Sequence, residues 1–398
     1  GEVSMREFLI EQFIKNHDMI KVPSVRTQYG NVASITGVIV NLLVCLGELI
    51  VGWLIGSIAM ISDGIHNVAD AGGSAISFLS FRLAAKKPDQ EHPYGHGRME
   101  YLFSIGFSII LFVLAIQLMI EAVNRIMHPE IVDVSAVAII VMLVAMGLKI
   151  WLSSFLKYMG NRIDSPILRA NALECLSDVW ATAGITIGLL AGSFLEYPID
   201  GYLGAIVALM IGRAGYHVFK ESTSRLLGNE PTPERVREIA DFVQSFDGVL
   251  GVHDLMIHDY GPGHEFASIH VEVDANQDII KSHNMIDHIE RKALEELHLK
   301  LTIHMDPLLR DEQTMAIYEQ IRSVVKAYDD RISIHDLRAI ESDDHLNVLF
   351  DMVVPYTEKQ RKDEISQSIK RILEAMNPYY HVTINAEHSY IGEERIHE

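Results

Sequence analysis

Six long apolar stretches dominate the first half of the chain, and polar residues separate them. Each holds about 20 residues or more, enough for a helix rising 1.5 Å per residue to cross a hydrocarbon core of about 30 Å. Six such stretches in succession are not typical of buried helices in a soluble protein, so the pattern predicts six transmembrane helices. The stretches are 35–55, 58–83, 101–123, 134–156, 168–195 and 199–219.

The periodicity changes after residue 225, where helix-like and strand-like segments alternate. The segments 234–246, 249–257, 267–273, 280–297 and 299–304 read as helix, strand, strand, helix and strand. The order recurs at 312–327, 332–340, 346–354, 358–376 and 380–386. Val-His-Asp-Leu at 252–255 also matches Ile-His-Asp-Leu at 334–337. These repeats predict two consecutive ferredoxin-like units that arose by duplication.

We therefore expect an α-helical membrane protein with a cytoplasmic α+β region of two tandem ferredoxin-like units. The domains are an N-terminal segment (1–30), a six-helix transmembrane domain (31–221), a metal-binding and dimerisation unit (222–310) and a second unit (311–398). Lys and Arg concentrate in the N-terminal segment and in the chain that follows the second, fourth and sixth stretches. By the positive-inside rule, both termini are cytoplasmic.

Composition narrows the classes of function. The formal net charge of −20 argues against nucleic acid as a partner, because phosphate binding requires an excess of Lys and Arg. Two Cys exclude a disulfide scaffold and a Cys-rich zinc ribbon. Residues 222–398 hold 13 of the 19 His and 34 of the 53 acidic residues, and this concentration points toward metal.

Ionisable residues inside the predicted membrane helices are the strongest functional signal. His66 and Asp70 stand four residues apart in the second stretch, and Glu174 and Asp178 do so in the fifth. That spacing places each pair on one helix face. If the faces meet, one imidazole and three carboxylates converge, which suits a divalent cation with mainly oxygen ligands.

Two alternatives for these charges stay open. The carboxylates could form structural ion pairs with Lys149 or Arg213, or the group could relay protons without a metal. Asp63 lies one turn before His66 and could support the ligands, while Glu48 and Asn41 in the first stretch could line the site. For these three residues, packing or local hydrogen bonding is an equally good explanation.

The sequence resembles the cation diffusion facilitator family of metal/proton antiporters. The resemblance rests on Ser-Asp-Gly-Ile-His-Asn-Val-Ala-Asp at 62–70, Glu-Cys-Leu-Ser-Asp at 174–178 and Asp-Gln-Glu-His-Pro-Tyr-Gly-His-Gly-Arg at 89–98. It covers roughly residues 30–310, so the second ferredoxin-like unit is an extension of the common plan. It implies a homodimer in the cell membrane. One site per protomer alternates between the two sides and exchanges a divalent metal for protons.

The resemblance also implies the transport ligands, which are His66, Asp70, Glu174 and Asp178. Zinc-transporting members usually have His where this chain has Glu174, whereas manganese members commonly have Asp there and Asn or Asp at the place of His66. Three carboxylates favour a hard ion such as Mn²⁺. The imidazole keeps Zn²⁺, Fe²⁺, Co²⁺ and Cd²⁺ as alternative substrates.

Two further metal sites follow from the same resemblance. Asp89, His92 and His96 match a loop site of the zinc members, although a solvated loop is an alternative. Five residues of the first ferredoxin-like unit match the dimer-interface metal site, although surface histidines could meet there by chance: His253, His270, His283, His304 and Asp306. In the second unit, His335 matches His253, but Asn385 and Glu387 occupy the places of His304 and Asp306. We therefore assign this unit no metal site. We expect His258, His264, His288 and His345 to be plain surface residues.

The predicted function is therefore efflux of a divalent metal in exchange for protons, with no enzymatic activity. Metal loading requires neutral imidazole and ionised carboxylates, so it displaces protons. A cation between two acidic cytoplasmic domains would offset their repulsion and bias the dimer toward transport. The main rival is a membrane metal sensor that signals through its soluble half. A membrane enzyme is a weaker rival. The sequence shows no Ser or Cys nucleophile beside a base, no glycine-rich phosphate loop and no zinc protease motif.

Overall fold

The computed structural model describes residues 5–20, 22–55, 58–128, 136–192, 199–309, 312–342, 344–355 and 361–388. The chain divides into two compact units. One runs to Gly228 and includes Tyr260–His264, and we call it the helical unit. The other comprises Asn229–Asp259 and the chain from Glu265 onward, and we call it the α+β unit.

The helical unit contains a short first helix and six long ones. They are α1 (Met5–Phe13), α2 (Pro23–Ile55), α3 (Ile58–Ala84), α4 (Met99–Met127), α5 (Ala136–Arg162), α6 (Pro166–Gly192) and α7 (Ile199–Leu227). The six apolar stretches therefore each correspond to one long helix. Helix α2 begins at Pro23 rather than residue 35, since proline suits the first turn of a helix and the polar turns that follow it carry no apolar signal.

Four spans in the described part of the chain are long and apolar enough to cross a membrane: Pro23–Leu54, Met99–Met127, Ile139–Arg162 and Gly201–Leu227. The other long helices, α3 and α6, carry the ionisable side chains predicted to bind metal. Their ionisable groups need neighbouring helices to shield them from lipid.

The long helices pack in pairs around two apolar clusters. Helix α2 packs against α3 and α5, α5 packs against α6, and α4 packs against α7. Leu152 and Phe155 of α5 are fully buried in the larger cluster. Large apolar side chains such as Trp53, Leu209 and Ile140 are exposed on the outside of the bundle. Hydrocarbon is the solvent in which such a surface is stable.

A buried ion pair ties three segments of the helical unit together. Arg26 of α2 donates from Nη1 and Nη2 to the carboxylate of Glu100 at the start of α4, at 2.6 and 3.0 Å. Ser165 Oγ, immediately before α6, donates to Glu100 Oε1 at 2.6 Å. Arg26 Nε also donates to the carbonyl of Ile163 at 3.0 Å. The fully buried carboxylate of Glu100 thus fixes the ends of α2, α4 and α6 against one another.

The α+β unit consists of two repeats with the predicted order of helices and strands. The first repeat is α8 (Pro233–Gln244), β1 (Gly251–Asp259), β2 (Glu265–Asp274), α9 (Ile279–Glu296) and β3 (Lys300–Leu308). The second repeat is α10 (Glu312–Tyr328), β4 (Ser333–Glu341), β5 (Leu346–Val353), α11 (Lys362–Met376) and β6 (Tyr380–Glu387). In each three-stranded sheet the first two strands are antiparallel and the last two are parallel.

Strand β3 is longer than the sequence predicts. The expected strand stops at residue 304, but β3 continues through Asp306 and Pro307 to Leu308. Proline is tolerated there because β3 is an edge strand of the order β1-β2-β3. The extension places Asp306 opposite Glu272 of β2 within the sheet.

The two repeats share the same irregularity in their first strands. The pairing register shifts between His253 and Met256 in β1 and between His335 and Arg338 in β4. The residue after each histidine, Asp254 or Asp336, has a positive φ of 50°. Aspartate tolerates this left-handed conformation better than most residues. A bulge at the same place in both repeats supports their common origin.

Each sheet has one face covered by helices and one face that carries polar side chains. Along β2, Ala267, Ile269, Val271 and Val273 are buried in the core of the first repeat. Successive side chains of a strand point to opposite faces, so His270 lies on the other face. The second repeat has its own core, which includes Ile321, Val348 and Ile369.

Candidate metal centres

Helices α3 and α6 bring three of the four predicted transport ligands together. The Nε2 atom of His66 lies 3.8 Å from Oδ1 of Asp70 and 3.8 Å from Oδ1 of Asp178. The three residues offer one ligand atom each within 4.8 Å of one another. Asp70 is 2% exposed, whereas the side chain of His66 is 46% exposed at the edge of the group. The cluster is therefore carboxylate-rich and open on the side of the imidazole.

Glu174, the fourth predicted ligand, lies beside this cluster rather than within it. It is 4% exposed, and no described residue gives its Oε2 atom a hydrogen bond. That oxygen is 3.0 Å from the place where a side chain on Gly73 would begin. The glycine of α3 thus makes room for the carboxylate of α6. A buried carboxylate oxygen with no donor is costly, and a cation would satisfy it.

Lys149 of α5 completes the electrostatics of the group. Its Nζ atom lies 2.6 Å from Oδ2 of Asp70 and 2.5 Å from Oδ2 of Asp178. One of the two alternatives left open by the sequence, an ion pair with Lys149, is therefore present in the structure. Arg213 makes no ion pair with these carboxylates among the residues described. Lys149 leaves Oδ1 of both aspartates facing His66.

The polar residues of α2 and the start of α3 form a separate hydrogen-bond group. Asn67 Nδ2 donates to Oε2 of Glu48 at 2.6 Å and to the carbonyl oxygen of Asp63 at 3.1 Å. Glu48 is 3% exposed, so the amide compensates for part of its burial. Asn41 is fully buried, and its amide atoms lack hydrogen bonds within the described parts of the chain. Neither Glu48 nor Asn41 belongs to the ligand cluster around His66.

The loop between α3 and α4 brings its three predicted ligands together. Asp89 Oδ1 lies 3.5 Å from Nδ1 of His92, and Asp89 Oδ2 lies 3.5 Å from Nε2 of His96. The backbone N–H of His92 donates to Oδ1 of Asp89 at 2.8 Å, which closes the turn. A hydrogen bond from Lys86 holds the pKa of Asp89 well below its usual range. The turn therefore presents an ionised carboxylate between two imidazoles.

The first sheet of the α+β unit aligns three histidines across its strands. His253 of β1 pairs with His270 of β2, which pairs with His304 of β3. The carboxylate of Asp306 reaches all three. Its Oδ2 atom is 2.9 Å from Nδ1 of His270 and 3.3 Å from Nε2 of His253, while its Oδ1 atom is 3.3 Å from Nε2 of His304.

Burial and hydrogen bonding oppose each other at this cluster. Burial raises the pKa of Asp306, but the neighbouring imidazoles of His253 and His270 outweigh it and lower the pKa below its usual range. Burial lowers the pKa of His253, but Asp254 and Asp306 outweigh it and raise the pKa to about 9. His283, the fifth predicted ligand, is exposed on α9 and joins none of the metal-ligand clusters among the described residues.

Sequence reasoning missed a further cluster, in which the second repeat takes part. His253, Asp254 and His335 each offer a ligand atom within 4.8 Å of the others. His335 Nε2 also lies 3.4 Å from Oε1 of Glu387. The repeated His-Asp dipeptide was the available signal. It could not show that the two dipeptides meet, because that depends on how the repeats pack.

Comparison with known proteins matches these features. The family model described as the cation efflux transmembrane domain matches residues 34–227. The model described as the cation efflux protein cytoplasmic domain matches twice, at 231–308 and 314–389. The chain therefore belongs to the cation diffusion facilitator family, and it is a membrane cation efflux transporter.

Several curated relatives share this plan. An uncharacterised transporter of Methanocaldococcus jannaschii is 32% identical over 68% of this chain and 96% of its own length. The manganese efflux system protein MneS of Bacillus subtilis is 27% identical over 70% of this chain and 96% of its own. The cation-efflux pump FieF of Escherichia fergusonii is 29% identical over 69% of this chain and 92% of its own length. Each relative is matched over nearly its whole length, whereas about three-tenths of this chain lies outside each match.

Proposed function

We propose that this chain exports a divalent transition metal from the cytoplasm in exchange for protons, with His66, Asp70, Glu174 and Asp178 as transport ligands. The main observation behind this proposal is that His66, Asp70 and Asp178 converge from α3 and α6 inside a bundle of apolar helices. Ionisable groups inside a membrane bundle are costly, and a transported cation accounts for their presence.

The ligand chemistry supports proton exchange. A metal binds neutral imidazole and ionised carboxylates, so loading displaces protons and protonation releases the metal. The ammonium of Lys149 stabilises the ionised forms of Asp70 and Asp178. These carboxylates are thereby kept ready for a cation, and Lys149 has to move away from them when the cation binds.

Mn²⁺ is the substrate that this site favours. Three carboxylates and one imidazole form an oxygen-rich set, which suits a hard ion better than a soft one. The relative named as a manganese efflux system protein agrees with that choice. Zn²⁺ is the alternative, followed by Fe²⁺, Co²⁺ and Cd²⁺, because the imidazole of His66 also suits these ions.

The match to the cytoplasmic domain of cation efflux proteins supports a homodimer, and we propose that it lies in the cell membrane with both termini in the cytoplasm. The positive-inside distribution of Lys and Arg supports this orientation. The loop cluster at Asp89 and the sheet cluster at Asp306 then face the compartment from which metal is exported. We assign both clusters a regulatory role in sensing that metal.

The proposal is tested by metal uptake into proteoliposomes with an acidic interior. The purified full chain is assayed with Mn²⁺, Zn²⁺, Fe²⁺, Co²⁺ and Cd²⁺ in parallel, beside Glu174→His. We expect Mn²⁺ to be moved fastest and Glu174→His to shift the preference toward Zn²⁺. A wild-type preference for Zn²⁺ would mean that geometry, rather than ligand hardness, sets selectivity.

The second candidate is a membrane sensor that binds metal but does not move it. The clusters of the α+β unit favour it, since they bring ligands together outside the membrane helices. The same liposomes separate the two candidates, because a sensor gives no flux for any of the five ions. If folded protein gives no flux, the sensor proposal therefore replaces the transport proposal.

A further inference from the structure

Equivalent residues of the two repeats meet inside one chain. His253 of β1 and His335 of β4 each precede the bulge aspartate of their repeat. Their imidazole rings lie 4.3 Å apart between centroids, with 30° between the ring planes. When equivalent residues contact each other, the two bodies are related by an approximate two-fold axis. The two histidines therefore lie near a pseudo-two-fold axis within a single α+β unit.

The contact is built from buried metal-binding atoms. His253 and His335 are each 5% exposed. His335 Nε2 lies 3.5 Å from Oδ1 of Asp254 and 3.4 Å from Oε1 of Glu387. His253 Nδ1 lies 3.3 Å from Oδ2 of Asp254. Ligand atoms around a tetrahedral ion with bonds near 2.0–2.1 Å stand about 3.3 Å apart, so these separations already approach those of a coordination shell.

The imidazole of His335 has nitrogen atoms that a bound metal ion would satisfy. Both nitrogens of its ring lack a hydrogen-bond partner within the described residues, although the ring is almost wholly buried. A buried polar atom without a hydrogen-bond partner is energetically costly. The carboxylates of Asp254 and Glu387 approach Nε2 at distances that a shared cation would shorten into bonds.

This group is distinct from the cluster around Asp306. The Nε2 atom of His253 faces Asp306 at 3.3 Å, whereas its Nδ1 atom faces Asp254. The two ring nitrogens of His253 therefore face two different sets of metal-binding side chains. Among the residues that the structure describes, only the set on the Nδ1 side includes residues of the second repeat.

The pseudo-symmetry is broken so that one such set exists rather than two. Asp336 is the counterpart of Asp254, but Arg338 binds it from Nε and Nη2 at 3.0 and 2.7 Å. The first repeat has Met256 at the place of Arg338, so Asp254 is left for the histidines. The interface thereby gains the carboxylate of Asp254, which contacts His253, and the carboxylate of Glu387 from the second repeat.

We propose that Asp254, His335, Glu387 and the Nδ1 atom of His253 bind one divalent transition-metal ion between the two repeats of the same chain. Two imidazoles and two carboxylates form a tetrahedral set that suits Zn²⁺ and Co²⁺. The ion cross-links the repeats within a protomer, and it does so whether or not the helical unit transports metal.

The test counts bound zinc in the whole 398-residue chain in detergent, after Zn²⁺ loading and dialysis. The main variant is Asp254→Asn combined with Glu387→Gln, because both changes keep the shape of the side chain and asparagine tolerates a positive φ. Asp336→Asn is the matched control. We expect the double variant to lose one zinc per chain and the control to lose none.

A second comparison separates the new site from the Asp306 cluster. Adding His270→Asn to the double variant should remove one more zinc than the double variant alone. The proposal is overturned if the double variant keeps the wild-type amount of zinc. It is also overturned if His270→Asn alone removes the same ion and the combined variant loses nothing further. Circular dichroism in EDTA checks that each variant is folded, and Glu387→Gln alone replaces the double variant if that one unfolds.

Discussion

Lys149 and Asp70 form an ion pair inside the helix bundle, with Nζ on α5 2.6 Å from Oδ2 on α3. Lys149 is 5% exposed and Asp70 is 2% exposed, so water stabilises neither charge. The same ammonium lies 2.5 Å from Oδ2 of Asp178. Because both carboxylates are proposed metal ligands, the lysine and a divalent cation compete for the same oxygens. The affinity for metal then depends on the cost of displacing Lys149.

Lys149→Gln should therefore bind metal more tightly than the wild type. Removing the competing charge is expected to lower the dissociation constant for Mn²⁺ by about tenfold, which corresponds to about 1.4 kcal/mol. Turnover should fall, because a more tightly held ion leaves more slowly. Isothermal titration calorimetry measures the affinity, and liposome uptake measures the turnover. Lys157→Gln, exposed on the same helix, is the control; an unchanged or weaker affinity in Lys149→Gln contradicts the competition.

Asp70→Asn and Asp178→Asn should each abolish transport. Each change removes one ionised ligand while keeping the size of the side chain. We expect uptake to fall by more than about 100-fold, since even outer hydrogen-bond partners of metal ligands account for about 10–100-fold. Glu121→Gln removes an exposed carboxylate on α4 and serves as the control. Wild-type flux from either aspartate variant would refute the transport site.

The loop cluster should hold one metal ion of its own. Combining Asp89→Asn with His96→Gln removes two of its three ligands, so we expect the purified protein to lose one equivalent of zinc. Elemental analysis after dialysis measures the loss. Glu91→Gln changes an exposed acid in the same loop and should leave the zinc content unchanged. Equal zinc in the two variants would mean that the cluster is only a solvated turn.

Glu100→Gln should destabilise the helical unit. Arg26 would keep its buried charge but lose the carboxylate that compensates for it. Breaking one partner of a buried ion pair costs about 3–5 kcal/mol. Thermal unfolding in detergent should show a clear drop in the midpoint for Glu100→Gln and little change for Glu121→Gln. Equal midpoints would show that the pair contributes little to the fold.

The sequence predicts most of the helices and strands because their signals are local. The six apolar stretches and the repeated helix and strand order depend on periodicity, which burial imposes directly. Helix α1 and the first turns of α2 were missed, since polar residues there hide the helix. Strand β3 was predicted too short, because proline normally ends a strand, and only the edge position explains its extension through Pro307.

The candidate sites likewise have features that residue spacing predicts and features that depend on how distant elements pack. Spacing places His66 with Asp70 on one helix face, and the structure brings them to Asp178. Spacing could not decide between a metal and Lys149, because their competition depends on how α5 packs against the other two helices. The meeting of His253 with His335 was also hidden, since it depends on the packing of two repeats that are far apart in sequence.

The connection between the repeats is very short. Strand β3 ends at Leu308 and α10 begins at Glu312, so only residues 309–311 separate them. A short tether keeps two modules at an effective concentration in the millimolar range, independent of how many copies of the protein the membrane holds. Closure of one repeat on the other is therefore a first-order event. A response to metal that depends on this closure stays the same in cells that make little of the protein and in cells that make much of it.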